Sequence, residues 1–302
     1  MTTLDIRTTA KSQWRAIPQA LRVHQWVKNL LLFVPVLLDH KILYFPVVSK
    51  ALVAFAAFCC AASGAYILND LLDSDADRRH ATKRNRPFAA ATLSRPFGML
   101  MVPLLFAAAL LCSLWLSPKF LILLVTYVVL TTAYSFYLKR IAILDVLILA
   151  GLYTLRVLAG VAASHVRFST WLLAFSMFLF LSLAFLKRYN ELSALPGGAT
   201  ETVERRGYLR GDREWLGSMG GVSGYLAVLV LALYINSEQV MALYRTPLLL
   251  WLICPLLLFW ISRMWLLAHR GQIDEDPILA TARDPVSYII AALMALVLYA
   301  AT

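Results

Sequence analysis

Long apolar runs, broken by short polar segments, set the pattern of this chain. Stretches of about 17–25 apolar residues match a bilayer-spanning helix. They run roughly from Pro18 to Leu38, Phe45 to Leu72, Phe97 to Leu116, Lys119 to Leu138, Ile141 to Ala163, Ser169 to Leu186, Trp215 to Ile235, Thr246 to Ala268 and Pro285 to Ala301. A bilayer leaves every backbone polar group to be satisfied within its own helix, so the expected fold is all-α, a polytopic bundle of nine transmembrane helices.

Nine spans put the two ends of the chain on opposite sides. Most of the 28 Lys and Arg residues fall on one set of segments. The other set holds only Lys41, Lys50, Lys119, Arg167 and Arg245, and Arg156 lies inside a span. Cationic loops stay in the cytoplasm, so the N-terminus is expected inside and the C-terminus outside. The expected organisation is a cytoplasmic arm over residues 1–17 and one catalytic membrane domain over 18–302. Two long cytoplasmic loops, 70–96 and 187–215, would cap it.

Composition sharpens this picture. Of 302 residues, 61 % are apolar, and mean hydropathy is +0.71. The formal charge of +11 could suggest nucleic acid. In a polytopic chain it records the positive-inside bias and anionic headgroups instead, and no nucleic-acid partner is expected. Cys59, Cys60, Cys112 and Cys254 all lie in apolar runs without ligand spacing, and read as small core residues. The first residues lack a short apolar stretch with a small-residue cleavage site, so no cleaved signal peptide is expected.

The chemistry concentrates where the second span ends, in NDLLDSDADRRHATKRNRP, Asn69 to Pro87. On a helix, Asp70, Asp73 and Asp77 rise a turn apart on one face, with Asn69 beside them. Stacked carboxylates repel unless a cation lies between them, and hard oxygen ligands with open positions suit Mg2+ shared with a substrate's phosphates. Lys83, Arg84 and Arg86 follow and offer cations for diphosphate oxygens. The bland alternative is a solvated charged loop.

Other polar residues stand where a membrane tolerates few. Arg156 sits mid-span, where a charge costs about 2.5–3.5 kcal/mol, so it should face the bundle interior. Asp145 lies on the same helix face but about 16 Å away, too far to pair with it. Arg156 would need an anion such as a substrate phosphate, and Asp145 a cation; a packing ion pair with another span is the other reading. Lys28 and Asn29 open the first span and could reach a phosphate, unless Lys28 only snorkels to the headgroups. Tyr134 and Lys139 close the fourth span as candidate substrate contacts, with Lys139 and Arg140 alternatively ordinary membrane anchors. Lys187, Arg188 and Glu191 close the sixth span. They would grip the phosphate end of a ligand, unless Lys187 and Glu191, four residues apart, only support each other. His24, His40, His80, His165 and His269 show no ligand spacing.

NDxxDxxxD (Asn69, Asp70, Asp73, Asp77), on nine expected spans with long loops after the second and sixth, resembles the UbiA superfamily of intramembrane prenyltransferases. The resemblance covers the chain from Gln25 onward. It implies a cavity holding Mg2+ and an isoprenyl diphosphate beneath cytoplasmic loops. Most members carry a second DxxxD after the sixth span; here Lys187-Arg188-Tyr189-Asn190-Glu191 stands instead. With QWVKN (Gln25 to Asn29), KRNRP (Lys83 to Pro87) and YTLRVLAG (Tyr153 to Gly160), this is similar to the decaprenyl-phosphate phosphoribosyltransferase branch. That resemblance implies transfer of 5-phosphoribose from phosphoribosyl diphosphate to a polyprenyl phosphate, for cell-envelope arabinan precursors, in a bacterial plasma membrane. Exposed apolar spans permit a homo-oligomer. The stretch Arg270 to Asp284 also resembles that branch, with no role assigned. Two alternatives stand beside this reading: an ordinary prenyltransferase acting on an aromatic or quinone precursor, and a non-enzymatic lipid-phosphate transporter.

Overall fold

The computed structural model describes residues 16–78, 83–194, 207–273 and 276–302. The described residues are helical, without a strand. Seven helical segments are long and apolar enough to cross a membrane. Two shorter apolar segments, Val23–Leu38 and Pro285–Ala301, occupy the places expected for the first and ninth spans. The first expected span opens with a helical turn at residues 16–20 and then runs as 3-10 helix over Val23–Phe33, and the eighth begins as 3-10 helix over Pro247–Leu252, before each turns α-helical. The apolar pattern does not distinguish these two helix types.

The chain divides into two compact units. The first takes residues 1–135 and 156–167. After the 3-10 segment come α1 (Val34–Leu38), α2 (Phe45–Asp77), α3 (Arg95–Leu114) and α4 (Pro118–Phe136). Helix α5 (Leu144–Ser164) adds its C-terminal part. Helix α2 runs without a break through the acidic motif, because nothing between Ala51 and Asp77 is Pro and the one Gly, Gly64, is tolerated inside a packed helix. Its apolar length packs against α3, and Ile67 joins Ala16, Ala20, Phe88 and Leu93 in a buried cluster below the motif. Phe58 of α2 meets Phe120 and Tyr127 of α4 at ring distances of 5.9 and 5.0 Å. Gly160 of α5 permits the closest backbone approach here: a Cβ at that position would lie 2.2 Å from the Leu32 carbonyl oxygen. That contact seats the Val23–Phe33 segment against α5.

The second unit takes residues 136–155 and 168–302. It holds the N-terminal part of α5, then α6 (Thr170–Ser193), α7 (Arg213–Ile235), α8 (Glu238–Leu243), α9 (Ile253–His269), α10 (Pro277–Thr281) and α11 (Pro285–Ala301). Helices α6 and α7 pack tightly because Gly220 of α7 leaves room for Phe185 of α6, whose Cβ an added Cβ would meet at 2.8 Å, and likewise for the Trp265 ring of α9, at 2.1 Å. Ser182 ties the contact, donating to the Gly220 carbonyl and accepting from the Trp265 indole. Large apolar side chains such as Leu104, Leu111, Ile122, Leu229 and Leu296 remain exposed on the long helices. That is unfavourable in water and suited to hydrocarbon.

Candidate active site

In the first unit, the last two turns of α2 carry Asn69, Asp70, Asp73 and Asp77 as expected. Asp70 and Asp77 are buried. Seven residues apart, they lie almost on one line along the helix, whereas Asp73 is turned about 60° from Asp70. The structure follows that angle. Arg86 brings Asp70 and Asp77 together: its Nη1 donates to Asp70 Oδ1 at 3.2 Å and to Asp77 Oδ2 at 2.7 Å. Asp73 instead accepts from Asn69 Nδ2 at 3.3 Å. Among the described residues, no three acidic, His or Cys side chains converge as a metal cluster. The cation between the two buried acids is a guanidinium.

A second guanidinium reaches the same oxygen. Arg22 Nη2 donates to Asp70 Oδ1 at 2.6 Å, and its guanidinium lies 4.6 Å from the centre of the Tyr66 ring. Arg22 holds a left-handed backbone, φ 50° and ψ 49°, just before the 3-10 segment begins. Such a conformation is uncommon for Arg, and surrounding contacts must hold it in place. Arg22 has no role assigned from the sequence. Nothing local in the sequence tied it to Asp70, 48 positions later.

Arg84 is exposed in the short turn Lys83–Asn85; the Lys83 side chain lies outside the described residues, as do Arg79 and His80. Arg95 donates both to the buried Ser74 and to the exposed Asp75. Arg78 Nε donates to the Ala89 carbonyl and fastens the loop to the helix end.

Deeper in the same unit, Lys28, Asn29 and Arg156 are all buried. Arg156 donates through Nε to Asn29 Oδ1 at 2.9 Å and through Nη2 to the Tyr127 hydroxyl at 3.0 Å. Asn29 Nδ2 in turn donates to Cys59 Sγ. Asn29 and Tyr127 are neutral dipoles that orient the guanidinium. Tyr127 had no signal in the sequence beyond an aromatic within an apolar run. Tyr134 is half-buried near the end of α4.

In the second unit, the cation for Asp145 is Arg188. Its Nε lies 2.6 Å from Asp145 Oδ2, and Arg188 also pairs with Glu191. Tyr208 completes the group, donating to Asp145 Oδ1 and accepting from the Ile143 backbone N–H, both at 2.7 Å. Burial, then the hydrogen bond to Asp145, pushes the Tyr208 phenol well above the ordinary tyrosine range. Glu191, read as a helical partner for Lys187, pairs instead with Arg188. Lys187 lies 3.6 Å from Asp276 Oδ2. Asp276 caps α10 by accepting from the Ile278 N–H, so part of the Arg270 to Asp284 stretch is tied to the end of α6. Lys139 lies in the short turn Leu138–Arg140.

The UbiA prenyltransferase family profile matches residues 43–283. The chain belongs to the UbiA prenyltransferase family. It is therefore a transferase-family integral membrane protein, as the apolar helices require. The chain is 36 % identical over 284 residues to nodulation protein NoeC of Azorhizobium caulinodans, covering 93 % of this chain and 91 % of that one. It is 38 % identical over 180 residues to decaprenyl-phosphate phosphoribosyltransferase of Mycolicibacterium smegmatis, covering 58 % of this chain and 56 % of that one. It is 40 % identical over 278 residues to the uncharacterized protein y4nM of Sinorhizobium fredii, covering 91 % of this chain. The chain spans about half the length of y4nM, 54 %. The UbiA fold itself recurs in a UbiA homologue from Archaeoglobus fulgidus bound to GPP and Mg2+. The TM-score is 0.68 at 15 % identity, over 94 % of this chain and 98 % of that one.

Proposed function

We propose that this protein transfers 5-phosphoribose from phosphoribosyl diphosphate to a polyprenyl phosphate, releasing diphosphate. The observation that carries the proposal is the pair of buried acids, Asp70 and Asp77, gathered around one cationic nitrogen. Two hard carboxylates so close, with Asn69 and Asp73 one turn away, are a donor set suited to Mg2+. The solved UbiA homologue from Archaeoglobus fulgidus bound to GPP and Mg2+ supports a divalent ion in this family. A divalent ion held by these acids would neutralise the diphosphate as it leaves.

The remaining roles belong to the chain's own residues. Asp70, Asp73, Asp77 and Asn69 would hold that ion. Lys83, Arg84 and Arg86 balance diphosphate or 5-phosphate oxygens. Arg156, aimed by Asn29 and Tyr127, and the buried Lys28 hold the acceptor phosphate. A phosphate oxygen of the acceptor forms the new bond to C1 of the ribose, and the C1–diphosphate bond breaks. A phosphate monoester is largely ionised near neutral pH, its second pKa being about 6, so the attack needs no dedicated base. The acceptor's apolar tail would lie against the exposed Leu and Val faces of the helices. Arg188, Glu191 and Asp145 shape the end of α6, with Lys187 the residue there left to contact substrate. Tyr134 and Lys139 are carried as further substrate contacts.

Support for phosphoribose over an isoprenyl donor comes from the relatives named decaprenyl-phosphate phosphoribosyltransferase, and from basic residues where most UbiA enzymes carry a second acidic motif. The charge distribution supports an active site facing the cytoplasm, and the two short apolar segments support nine spans in a bacterial plasma membrane. An isoprenyl transfer to an aromatic precursor is the second reading, favoured by the A. fulgidus homologue's bound GPP.

The deciding experiment uses purified protein in detergent with Mg2+. One tube receives decaprenyl phosphate and labelled phosphoribosyl diphosphate; the other receives isoprenyl diphosphate and 4-hydroxybenzoate. Label entering the lipid phase in the first tube supports the proposal. A silent first tube with a prenylated aromatic in the second overturns it.

A further inference from the structure

We infer that Arg86 and Arg22 are exchange partners for the acidic site: they hold Asp70 and Asp77 until a diphosphate arrives to take the guanidiniums, which couples metal binding to diphosphate binding. This rests on the reading of Asp70 and Asp77 as metal ligands.

The argument starts from charge. Two carboxylates, Asp70 and Asp77, face two guanidiniums, Arg22 and Arg86. The set is neutral. Both guanidiniums share Asp70 Oδ1, and Arg86 Nη1 also takes Asp77 Oδ2. The oxygens that a metal would need are therefore occupied by hydrogen-bond donors. A divalent ion entering alone must displace them, leaving two cations beside itself in a partly buried place. Like charges so close are unfavourable, more so away from bulk water. Diphosphate removes that obstacle. It offers several anionic oxygens, and guanidiniums bind phosphate oxygens in the same forked geometry as carboxylates.

Arg22 is built for such a handover. Its left-handed backbone projects the side chain across Tyr66, whose ring keeps a cation favourable even when the carboxylate is withdrawn. Arg86 lies on the loop beyond α2 and half-exposed, so it reaches the acids from outside the helix. The metal alone should bind weakly, diphosphate alone should bind weakly, and the two should bind together, each raising the other's affinity by the same factor.

The test is Mn2+ binding followed by its electron paramagnetic resonance signal on purified, detergent-solubilised protein, with and without inorganic diphosphate. In the natural protein, saturating diphosphate should raise Mn2+ affinity at least about tenfold beyond what free diphosphate accounts for in a protein-free control. Arg86→Gln should move the two arms in opposite directions. Mn2+ alone should bind about tenfold more tightly, and most of the enhancement by diphosphate should vanish. Arg22→Gln, an independent variant, should shift both arms the same way by a smaller factor. Mn2+ affinity unchanged in both variants, with or without diphosphate, overturns the exchange while leaving the metal reading intact. Mn2+ binding that Asp77→Asn does not weaken, or no binding under either condition, overturns the metal reading and the exchange with it.

Discussion

Asp145 and Arg188 form an ion pair of 2.6 Å in which neither side chain is more than 1 % exposed. Arg188 also serves Glu191 one turn on, and Tyr208 donates to the other oxygen of Asp145. The group joins the start of α5 to the end of α6 and to Tyr208, which precedes α7. Removing one member of a buried pair costs about 3–5 kcal/mol where the other charge is left uncompensated, and Asp145→Asn, which leaves Arg188 its Glu191 partner, sits at the lower end. Asp145→Asn and Arg188→Met should each lower unfolding stability in detergent by that order. The double variant should lose distinctly less than the two single losses together. Additive losses would show that the pair is not the source of the effect.

How much of this was legible in the sequence depends on distance along the chain. The lengths of the apolar runs place the helices well, because hydrocarbon thickness dictates them. The register of Asp70 and Asp77 on α2 is legible for the same reason: helix geometry is local. Partners are not local. Arg188 reads as a spare cation at a helix end, and only folding brings it to Asp145. Arg22 stands 48 positions before Asp70, and only tertiary packing delivers it there. Tyr208 gave no signal, since it follows Gly207 in a polar stretch without periodicity. The 3-10 starts at Val23 and Pro247 were also hidden, because apolar content does not reveal helix pitch.

Asp284 gives a pH-dependent element. It accepts from the Ser287 N–H at 2.9 Å and hydroxyl at 2.7 Å, and from both terminal nitrogens of Arg263 at 2.7 and 3.1 Å. Burial alone would raise its carboxyl, but the Ser287 and Arg263 hydrogen bonds outweigh burial and hold it below the ordinary aspartate value. A depressed folded value means that the folded state prefers the ionised cap. Its contribution is complete above the unfolded value of about 4 and is lost as pH falls through the lower folded value. Asp284→Asn should cost about 1 kcal/mol at neutral pH. Unfolding followed from pH 7 down to pH 3 should show the gap between natural and variant protein closing below about pH 4. A gap that stays constant across that range would contradict the assignment.

Arg156 separates a binding role from a packing role. Asn29 and Tyr127 orient its guanidinium, and the proposal gives it the acceptor phosphate. A charged hydrogen bond contributes about 1.5–3 kcal/mol. Arg156→Gln should raise the KM for polyprenyl phosphate by about ten- to hundredfold with the KM for the donor little changed. Tyr127→Phe keeps the ring against Phe58 and removes only the hydroxyl, so the same KM should rise by a few-fold, about 1 kcal/mol. Equal losses toward donor and acceptor would point to general disorder of the bundle rather than to a phosphate contact.

The acids of α2 test the centre of the proposal. Asp70 and Asp77 converge, while Asp73 meets Asn69. If all three carry the donor's metal, none can be replaced by a neutral side chain. Asp77→Asn keeps size and shape and removes only charge; Asp73→Ala removes an acid that is half-buried and not part of the core. Each should lower kcat by at least about 100-fold, the scale of losing one major electrostatic contact to the leaving group. Unfolding in detergent should change by less than about 1 kcal/mol for Asp73→Ala, since its hydrogen bond to Asn69 is partly exposed. Asp77→Asn should destabilise more, because it leaves Arg86 with only Asp70 for a carboxylate partner. Full activity of Asp73→Ala with Mg2+ would remove Asp73 from the metal set and leave a two-acid site on Asp70 and Asp77. Full activity of Asp77→Asn would remove the metal assignment itself, because the convergence on Arg86 would then be packing alone.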